Sequence, residues 1–319
     1  MISKVISRIN NCEKVLIITH ENPDGDALGS SLALAKSLKQ IEKNVDIVCI
    51  DDIPLAFQFL PEIKYIKKDF LFGDYDIAII LDCGDLKRTG FPERLREIKL
   101  KDRKKIINID HHPKNDLHKI ANINLIDYNS SSTSEIIYEI IQQIEQIEIN
   151  KEIATCLLCG LYTDTGAFKH SNTTPKVLKI SAELLKCGAR LKKITESITN
   201  GKSISALKLW GIVFSRIQKN EEFKIISSFI REKDLVDCHA THHDLSGVVN
   251  MINSIPNTNV AILFSEIGDG KIKASIRTEK DNVDASRLAE IFGGGGLKKA
   301  SGFTIDGKLI CKNNIWDIE

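Results

Sequence analysis

The chain has 319 residues, and its 44 Lys and Arg against 43 Asp and Glu give a formal net charge of +1 at pH 7. With 27% charged and 42% hydrophobic residues, the composition is that of a globular protein and excludes a disordered chain. The balanced charge argues against a polybasic protein that binds long duplexes by counterion release along many phosphates. Any nucleic-acid ligand is therefore expected to be short.

The hydropathy pattern contains no candidate membrane anchor. The longest uncharged apolar runs, at 78–81 and 154–161, are far below the roughly 18 residues that span a bilayer. Residues 1–14 mix charged and apolar side chains and lack the apolar core of a signal peptide. We therefore expect a cytoplasmic protein without a membrane partner.

Apolar, β-rich runs alternate with amphipathic helical patterns in the first half of the chain. Strands are predicted at 14–19, 45–50 and 76–83 and in a run that ends at Asp110, and helices are predicted at 27–40 and 131–144. This alternation is typical of a mostly parallel sheet with crossover helices on both faces. The first part of the chain is therefore predicted to be an α/β domain.

The pattern becomes helical from about residue 151 to about 217 and then changes again. Strands are predicted at 223–230, at 259–278 with a hairpin around 268–270, and at 301–310. We predict a catalytic domain at 1–190, a helical connector at 191–220, and a smaller mixed-sheet α/β domain at 221–319. A cleft between the two domains is the expected place for the active site.

Acidic residues follow three of the predicted strands, and a fourth acidic residue closes a helical run. The residues in question are His20, Asp24, Asp26, Asp82, Asp110, His111, His112 and Asp164. Ligands of open α/β sheets bind beyond the carboxyl ends of the strands, so these segments are expected to meet in one crevice. Carboxylates and imidazoles without a thiolate favour manganese or a similar divalent ion over structural zinc or an all-oxygen calcium site.

Each acidic residue also has a structural interpretation. An Asp after a strand is commonly a helix N-cap or a turn residue, and adjacent histidines are often polar loop residues. Four such segments in one half of the chain favour a metal site over coincidence. Because alternate residues of a turn can point to two neighbouring ions, His20, Asp24 and Asp26 fit a two-metal site in which Asp82 bridges the ions.

Four strings in this half of the chain resemble the motifs of the DHH phosphoesterase superfamily. They span residues 20–30, 81–85, 110–113 and 162–168. Residues 274–277, 283–296 and 300–302 resemble the associated DHHA1 domain. The resemblance covers nearly the whole chain, and the order and spacing of its motifs are similar to those of the NrnA-type subfamily of bifunctional oligoribonucleases and 3',5'-bisphosphate nucleotidases.

The resemblance implies a role for each candidate residue of the first domain. One manganese ion would be bound by His20, Asp24 and Asp82, and the second by Asp26, Asp82, His111 and Asp164. His112 would face the scissile phosphate, and Asp110 would orient the histidines. Asp85 competes with Asp82 for the ligand role, and we prefer Asp82 because it directly ends the apolar strand.

The second domain is expected to hold the rest of the substrate. The candidate substrate-binding residues are His112, Arg277, Gly294, Gly295 and Gly296. A Gly-rich run lets backbone N–H groups approach a phosphate, and the fork of Arg277 can bind one. Without the resemblance, this run would be interpreted as a flexible turn after a helix. The family pattern has His after the four glycines where this chain has Leu297, so a donor that is expected to contact the substrate phosphate is missing.

The expected activity is that of a manganese-dependent phosphoesterase. By two-metal hydroxide attack it would hydrolyse short RNA or DNA oligonucleotides to mononucleotides, remove the 3'-phosphate of adenosine 3',5'-bisphosphate, or do both. The alternatives are a phosphodiesterase for linear or cyclic dinucleotides, an inorganic pyrophosphatase, and a degenerate member that binds nucleotides or RNA without turnover. A homodimer is compatible with the sequence but not required by it.

Overall fold

The computed structural model describes residues 1–98, 105–112, 116–199, 203–313 and 315–319. The chain divides into two compact units, Met1–Gly201 and Lys202–Glu319. Among the described residues, no helix has both the length and the apolar character needed to cross a bilayer.

The first unit contains a five-stranded sheet whose strands all run parallel, in the order β2-β1-β3-β4-β5. Its strands are β1 Lys14–Ile18, β2 Asn44–Val48, β3 Ile77–Leu81, β4 Ile106–Asp110 and β5 Ile123–Ile126. Its helices are α1 Ile2–Asn10, α2 Gly25–Gln40, α3 Pro92–Arg96, α4 Thr133–Gln142, α5 Lys151–Asp164, α6 Pro175–Lys186 and α7 Leu191–Thr199.

Successive side chains of the central strands enter two different cores, because side chains alternate between the faces of a strand. Ile17 and Ile79 pack on one face with residues of α2, α4 and α5. Ile18 and Ile80 pack on the other face with Leu95 of α3 and residues of nearby 3₁₀ turns. Both faces are covered, which explains why these strands read as continuous apolar runs. The predicted parallel α/β fold is confirmed.

The strand order places a crevice at the carboxyl edge of this sheet. β1 lies between β2 and β3, so the chain winds towards one side of β1 and then towards the other. The connections that leave β1 and β3 therefore diverge, and ligands of open α/β sheets bind at such a switch point.

The second unit contains a six-stranded mixed sheet in the order β10-β11-β9-β8-β7-β6 and a separate two-stranded sheet, β12-β13. Its strands are β6 Gln218–Asn220, β7 Ile225–Ile230, β8 Val260–Glu266, β9 Lys271–Arg277, β10 Gly295–Gly296, β11 Ala300–Asp306, β12 Leu309–Lys312 and β13 Ile315–Ile318. Its helices are α8 Ile204–Ser215, α9 Glu232–Asp237, α10 Val248–Asn253 and α11 Ala285–Ile291.

In this sheet β7 and β8 are parallel, whereas the other neighbours are antiparallel. The hairpin predicted around 268–270 joins β8 to β9, which confirms that prediction. The segment 191–220, which the sequence predicts to be a connector, contributes α7 to the first unit and α8 to the second.

Helices α2 and α5 of the first unit approach each other closely at Gly29. A Cβ atom at this residue would lie 2.4 Å from the carbonyl oxygen of Cys156, far inside van der Waals contact. The absence of a side chain at Gly29 therefore lets the two helices pack backbone to backbone.

We expect Gly29→Ala to destabilise the first domain by about 1–3 kcal/mol, because overpacking outweighs the gain of about 1 kcal/mol in helix propensity. Gly211→Ala is the matched control, since Gly211 also lies inside a helix but has no atom within 4 Å of its Cβ position. Differential scanning calorimetry would measure both variants. A melting temperature in Gly29→Ala that equals or exceeds that of the wild type would contradict the packing argument.

Candidate metal centre

The ends of three strands and one helix bring the predicted acids and histidines together. His20 follows β1, Asp24 and Asp26 begin α2, and Asp82 follows β3. The remaining residues are Asp110 at the end of β4, His111 and His112 directly after it, and Asp164 at the end of α5. The structure thus gathers all the candidate residues of the first domain at the carboxyl edge of the parallel sheet.

Asp24 both caps a helix and faces a candidate metal-binding histidine. Its Oδ1 accepts hydrogen bonds of 3.0 Å from the backbone N–H groups of Asp26 and Ala27, so it is the N-cap of α2. Its Oδ2 lies 3.6 Å from Nε2 of His20. The Nδ1 atom of His20 is 2.7 Å from the carbonyl oxygen of Glu21, which can only accept, so Nδ1 carries the proton. In the neutral ring Nε2 therefore keeps its lone pair for a ligand.

Asp26 is fully buried, and the N-terminus of α4 binds its carboxylate. The backbone N–H groups of Thr133 and Ser134 donate to its two oxygens at 2.6 and 2.8 Å. These N–H groups have no partner within their own helix, and the helix dipole favours a negative charge there. Gly160 of α5 leaves the necessary space, because a Cβ atom at this residue would lie 2.5 Å from Oδ1 of Asp26 and 2.0 Å from Oγ of Ser134.

Asp82 lies between His20, which follows β1, and His111, which follows β4. Its Oδ2 is 3.8 Å from Nε2 of His20, and its Oδ1 is 3.6 Å from Nε2 of His111. The hydroxyl of Thr133 donates to Oδ1 at 2.9 Å. The backbone of Asp82 has a φ of +60°, a left-handed conformation that costs free energy and recurs at functional sites. Nδ1 of His112 also lies 3.6 Å from Oδ1. One carboxylate thus faces three imidazoles.

Asp85 takes a different part in the loop after β3. Its Oδ1 accepts the backbone N–H of Arg88 at 2.9 Å, which closes a turn. Among the described residues, the groups of side chains that could hold a metal ion include Asp82 but not Asp85.

His111, Asp26 and Asp164 form a second group on the far side of Asp82. Nε2 of His111 lies 3.2 Å from Oδ2 of Asp164. One ligand atom from each of the three residues lies within 4.8 Å of those from the other two, as is also true of His20, Asp24 and Asp82. The His20 group equals one ligand set that the resemblance implies, and the His111 group matches the other set except for Asp82, which is not among its members. A third group that meets the same distance criterion consists of Asp82, Asp110, His111 and His112.

Asp110 is fully buried and orients both histidines after β4. Its Oδ1 accepts the backbone N–H groups of His111 and His112 at 2.7 and 3.0 Å and lies 2.6 Å from Nδ1 of His112. Its Oδ2 accepts the N–H of Gly84 at 2.7 Å. Burial by itself would raise the pKa of Asp110, but the bonds to His112 and the backbone lower it. With both oxygens engaged, Asp110 positions other residues.

The crowded carboxyl groups shift each other's pKa values. Burial, together with the charges of Asp26 and Asp24, raises the pKa of Asp82 well above its usual range. Burial and the charge of Asp26 raise the pKa of Asp164 to about 7. Burial would lower the pKa of His111, but the carboxylates of Asp164 and Asp26 raise it to about 9. The site therefore concentrates negative charge that a cation would stabilise.

Two buried nitrogen atoms test whether these residues fit metal ions. Nε2 of His20 and Nε2 of His111 have no hydrogen-bond partner among the residues that the structure describes. For His111 the neighbouring Asp164 oxygen is near enough, at 3.2 Å, but no aligned hydrogen bond forms. Buried polar atoms without partners are costly, and an imidazole nitrogen surrounded by carboxylate oxygens is a common metal ligand. The donor set fits two divalent cations.

Thr133 and Ser134 take part in this site although the sequence analysis did not single them out. Their signal in the sequence is the string Ser132-Thr133-Ser134-Glu135, which has the spacing of a helix capping box. Ser132 indeed caps α4 by accepting the N–H of Glu135 at 3.2 Å. The motif predicts a helix start, whereas its contact with Asp26, more than a hundred residues away in the chain, depends on the fold.

The candidate substrate-binding residues of the second domain lie at the end of β9 and at β10, on either side of β11. Arg277 ends β9, where its Nε donates to Oδ1 of Asn250 at 3.1 Å and its Nη1 to the carbonyl oxygen of Ile276 at 2.8 Å. Gly294 packs against β11, since a Cβ atom there would lie 2.2 Å from the carbonyl oxygen of Gly302. Its N–H donates to Ala289 and so completes the end of α11.

The rest of the Gly-rich run forms a hairpin. Gly295 and Gly296 pair with β11, and a Cβ atom at Gly295 would have no neighbour within 4 Å. Gly296 has a φ of +142°, which glycine tolerates. Leu297 exchanges two backbone hydrogen bonds with Ala300 across the tip of the hairpin, and 46% of its surface is exposed.

Comparisons with known proteins agree with this architecture. Residues 14–161 match the family model of the DHH family, N-terminal domain, and residues 224–316 match that of the DHHA1 domain. Two relatives are named bifunctional oligoribonuclease and PAP phosphatase NrnA. The Thermus thermophilus protein is 31% identical over 92% of this chain and 84% of its own length, and the Bacillus subtilis protein is 26% identical over 96% and 93%.

A solved structure has the same fold over most of its length. It is an exopolyphosphatase-related protein from Bacteroides fragilis, 28% identical, with a TM-score of 0.85 over 96% of this chain and 91% of that one. The family models, the identity to the Thermus thermophilus relative and the metal-binding residue pattern all agree. The chain belongs to the DHH family of phosphoesterases, and its second domain is a DHHA1 domain.

Proposed function

We propose that the protein is a manganese-dependent phosphoesterase that cleaves short oligonucleotides to mononucleotides and removes the 3'-phosphate of adenosine 3',5'-bisphosphate. The observation that carries this proposal is the position of Asp82, whose two oxygens face His20 and His111 at 3.8 and 3.6 Å. These separations are too long for hydrogen bonds. They suit pairs of ligands that share a cation about 2 Å from each.

The proposed ligand sets are based on the two groups of side chains around His20 and His111, with Asp82 added to the His111 group as a shared ligand. His20, Asp24 and Asp82 would hold one cation, and Asp82, Asp26, His111 and Asp164 would hold the other. Two divalent ions there would lower the pKa of water and neutralise charge on a phosphoryl group. Mixed carboxylate and imidazole ligands support manganese as the expected ion.

His112 is the residue that we propose to meet the scissile phosphate. Asp110 engages its Nδ1 at 2.6 Å and sets the orientation of the ring. Nε2 is then the ring atom left to contact a phosphoryl oxygen or to move a proton to the leaving oxygen. Asp110 would act through this orientation and need not contact the substrate.

The substrate class rests on the names of the relatives and on the second domain. Relatives matched over most of their length are named for oligoribonuclease and PAP phosphatase activity, which supports both substrates. We propose that Arg277 and the glycines 294–296 bind the remaining part of the substrate.

A cytoplasmic location fits these substrates, and a homodimer stays a prediction. The exposed Leu297 keeps a binding module without turnover as the second candidate.

We expect Asp82→Asn to lower manganese-dependent turnover at least about a thousandfold, because the bridging ligand supplies several kcal/mol of transition-state stabilisation. Asparagine tolerates the left-handed backbone of this residue. Asp85→Asn is the matched control from the same loop and is expected to keep most of the activity. Turnover of a dinucleotide with manganese would be measured for both. Wild-type activity in Asp82→Asn would refute the two-metal assignment.

The substrate preference can be read from a panel incubated with purified protein and manganese. The panel contains a dinucleotide, a short RNA, adenosine 3',5'-bisphosphate, a cyclic dinucleotide and pyrophosphate. We expect hydrolysis of the dinucleotide, the short RNA and the bisphosphate, measured by chromatographic separation of the products. Tight nucleotide binding without hydrolysis of any compound would favour the binding module. Hydrolysis of pyrophosphate or of the cyclic dinucleotide alone would instead support one of the other hydrolase alternatives.

A further inference from the structure

A cationic side chain outside the predicted ligand sets lies beside this site. Arg88 belongs to the 3₁₀ turn Lys87–Thr89, which follows β3. Its backbone N–H donates to Oδ1 of Asp85 at 2.9 Å, and its carbonyl oxygen accepts the N–H of Glu21 at 2.7 Å. The backbone of Arg88 is therefore tied to the loops that carry Asp82 and His20.

The guanidinium of Arg88 packs over Gly84 next to His112. A Cβ atom at Gly84 would lie 3.2 Å from Nη1 of Arg88, 3.5 Å from Cγ of His112 and 3.7 Å from its Cδ2. Gly84 has a φ of +67°, a conformation that favours glycine. The missing side chain at Gly84 thus leaves the guanidinium and the imidazole beside the same small space.

This guanidinium has no partner in the part of the chain that the structure describes. No hydrogen bond, ion pair or ring contact of its side chain is formed there, although its charge acts on the nearby Asp24 carboxylate. Other arginines are engaged: Arg94 pairs with Asp69, and Arg216 pairs with Asp234. A half-buried cation without a counter-ion has lost part of its hydration without compensation.

We propose that Arg88 binds the phosphoryl group of the substrate together with His112. This inference deepens the proposed function and rests on it. The planar guanidinium presents N–H donors whose spacing matches two oxygens of a phosphate, and charge-assisted hydrogen bonds of this kind are among the strongest in proteins. The carboxylates of the site already face the imidazoles and backbone N–H groups. An incoming phosphate is the anion that remains to pair with Arg88.

The experiment measures the binding of inorganic phosphate, a product of the proposed bisphosphate reaction, to manganese-loaded protein by titration calorimetry. We expect Arg88→Gln to weaken phosphate binding about 10–100-fold, as loss of charged hydrogen bonds does. Arg88→Lys keeps the charge but loses the planar fork of N–H donors. Its phosphate affinity should therefore lie between those of the wild type and Arg88→Gln. Lys87→Gln removes the same charge from the neighbouring exposed residue of the turn and should change the affinity less than about twofold.

Three further measurements separate this inference from a structural effect and from the proposed function. Melting temperatures are expected to match the wild type in all three variants, because the Arg88 side chain makes no contact that the fold needs. Manganese titrations should show binding no weaker than in the wild type, because none of the variants adds positive charge near Asp24. In Arg88→Gln, kcat/KM for adenosine 3',5'-bisphosphate should fall by the same factor as the phosphate affinity. Unchanged phosphate affinity and kcat/KM in this variant would overturn the role of Arg88 alone. A wild-type protein that hydrolyses no member of the substrate panel would overturn the proposed function itself.

Discussion

Several carboxyl groups share a small buried volume at the carboxyl edge of the parallel sheet, and the rest of the site depends on this constraint. Asp82 is only 1% exposed and lies among Asp24, Asp26 and Asp164, so its pKa is raised well above the usual range by burial and by these neighbours. Such a group must be neutralised, hydrogen-bonded or matched by positive charge. The hydrogen-bond donors around Asp82 stabilise part of this charge, and divalent cations are proposed to stabilise the rest.

The packing of the helices serves the same constraint. The N-terminus of α4 can hold Asp26 only because α5 passes close by at Gly160, and α2 and α5 meet closely at Gly29. Asp24 begins α2 and at the same time faces His20. The residues that build the first domain are therefore partly the residues that shape its site, and a small change in helix packing should change the geometry around the carboxylates.

The main elements of the first domain and the composition of the candidate site could be predicted from local patterns. Apolar strands followed by acids indicated the sheet and its functional edge, because the carboxyl ends of parallel strands share that edge. The edge strand β5 was missed, since its residues are half-buried and its pattern INLI is short. The 3₁₀ turns escaped prediction for the same reason, and one of them carries Arg88.

By itself, the sequence determined the parallel α/β fold of the first domain, the mixed sheet of the second, and the acids and histidines available for a metal centre. Hydrophobic periodicity and motif order can be read directly from the sequence, without knowledge of the fold. Only the tertiary structure decided the distances from Asp82 to His20 and His111, that Thr133 and Ser134 bind the acids, and that the guanidinium of Arg88 adjoins His112. These contacts join residues distant in the chain, and their distances follow from how the strands and helices pack.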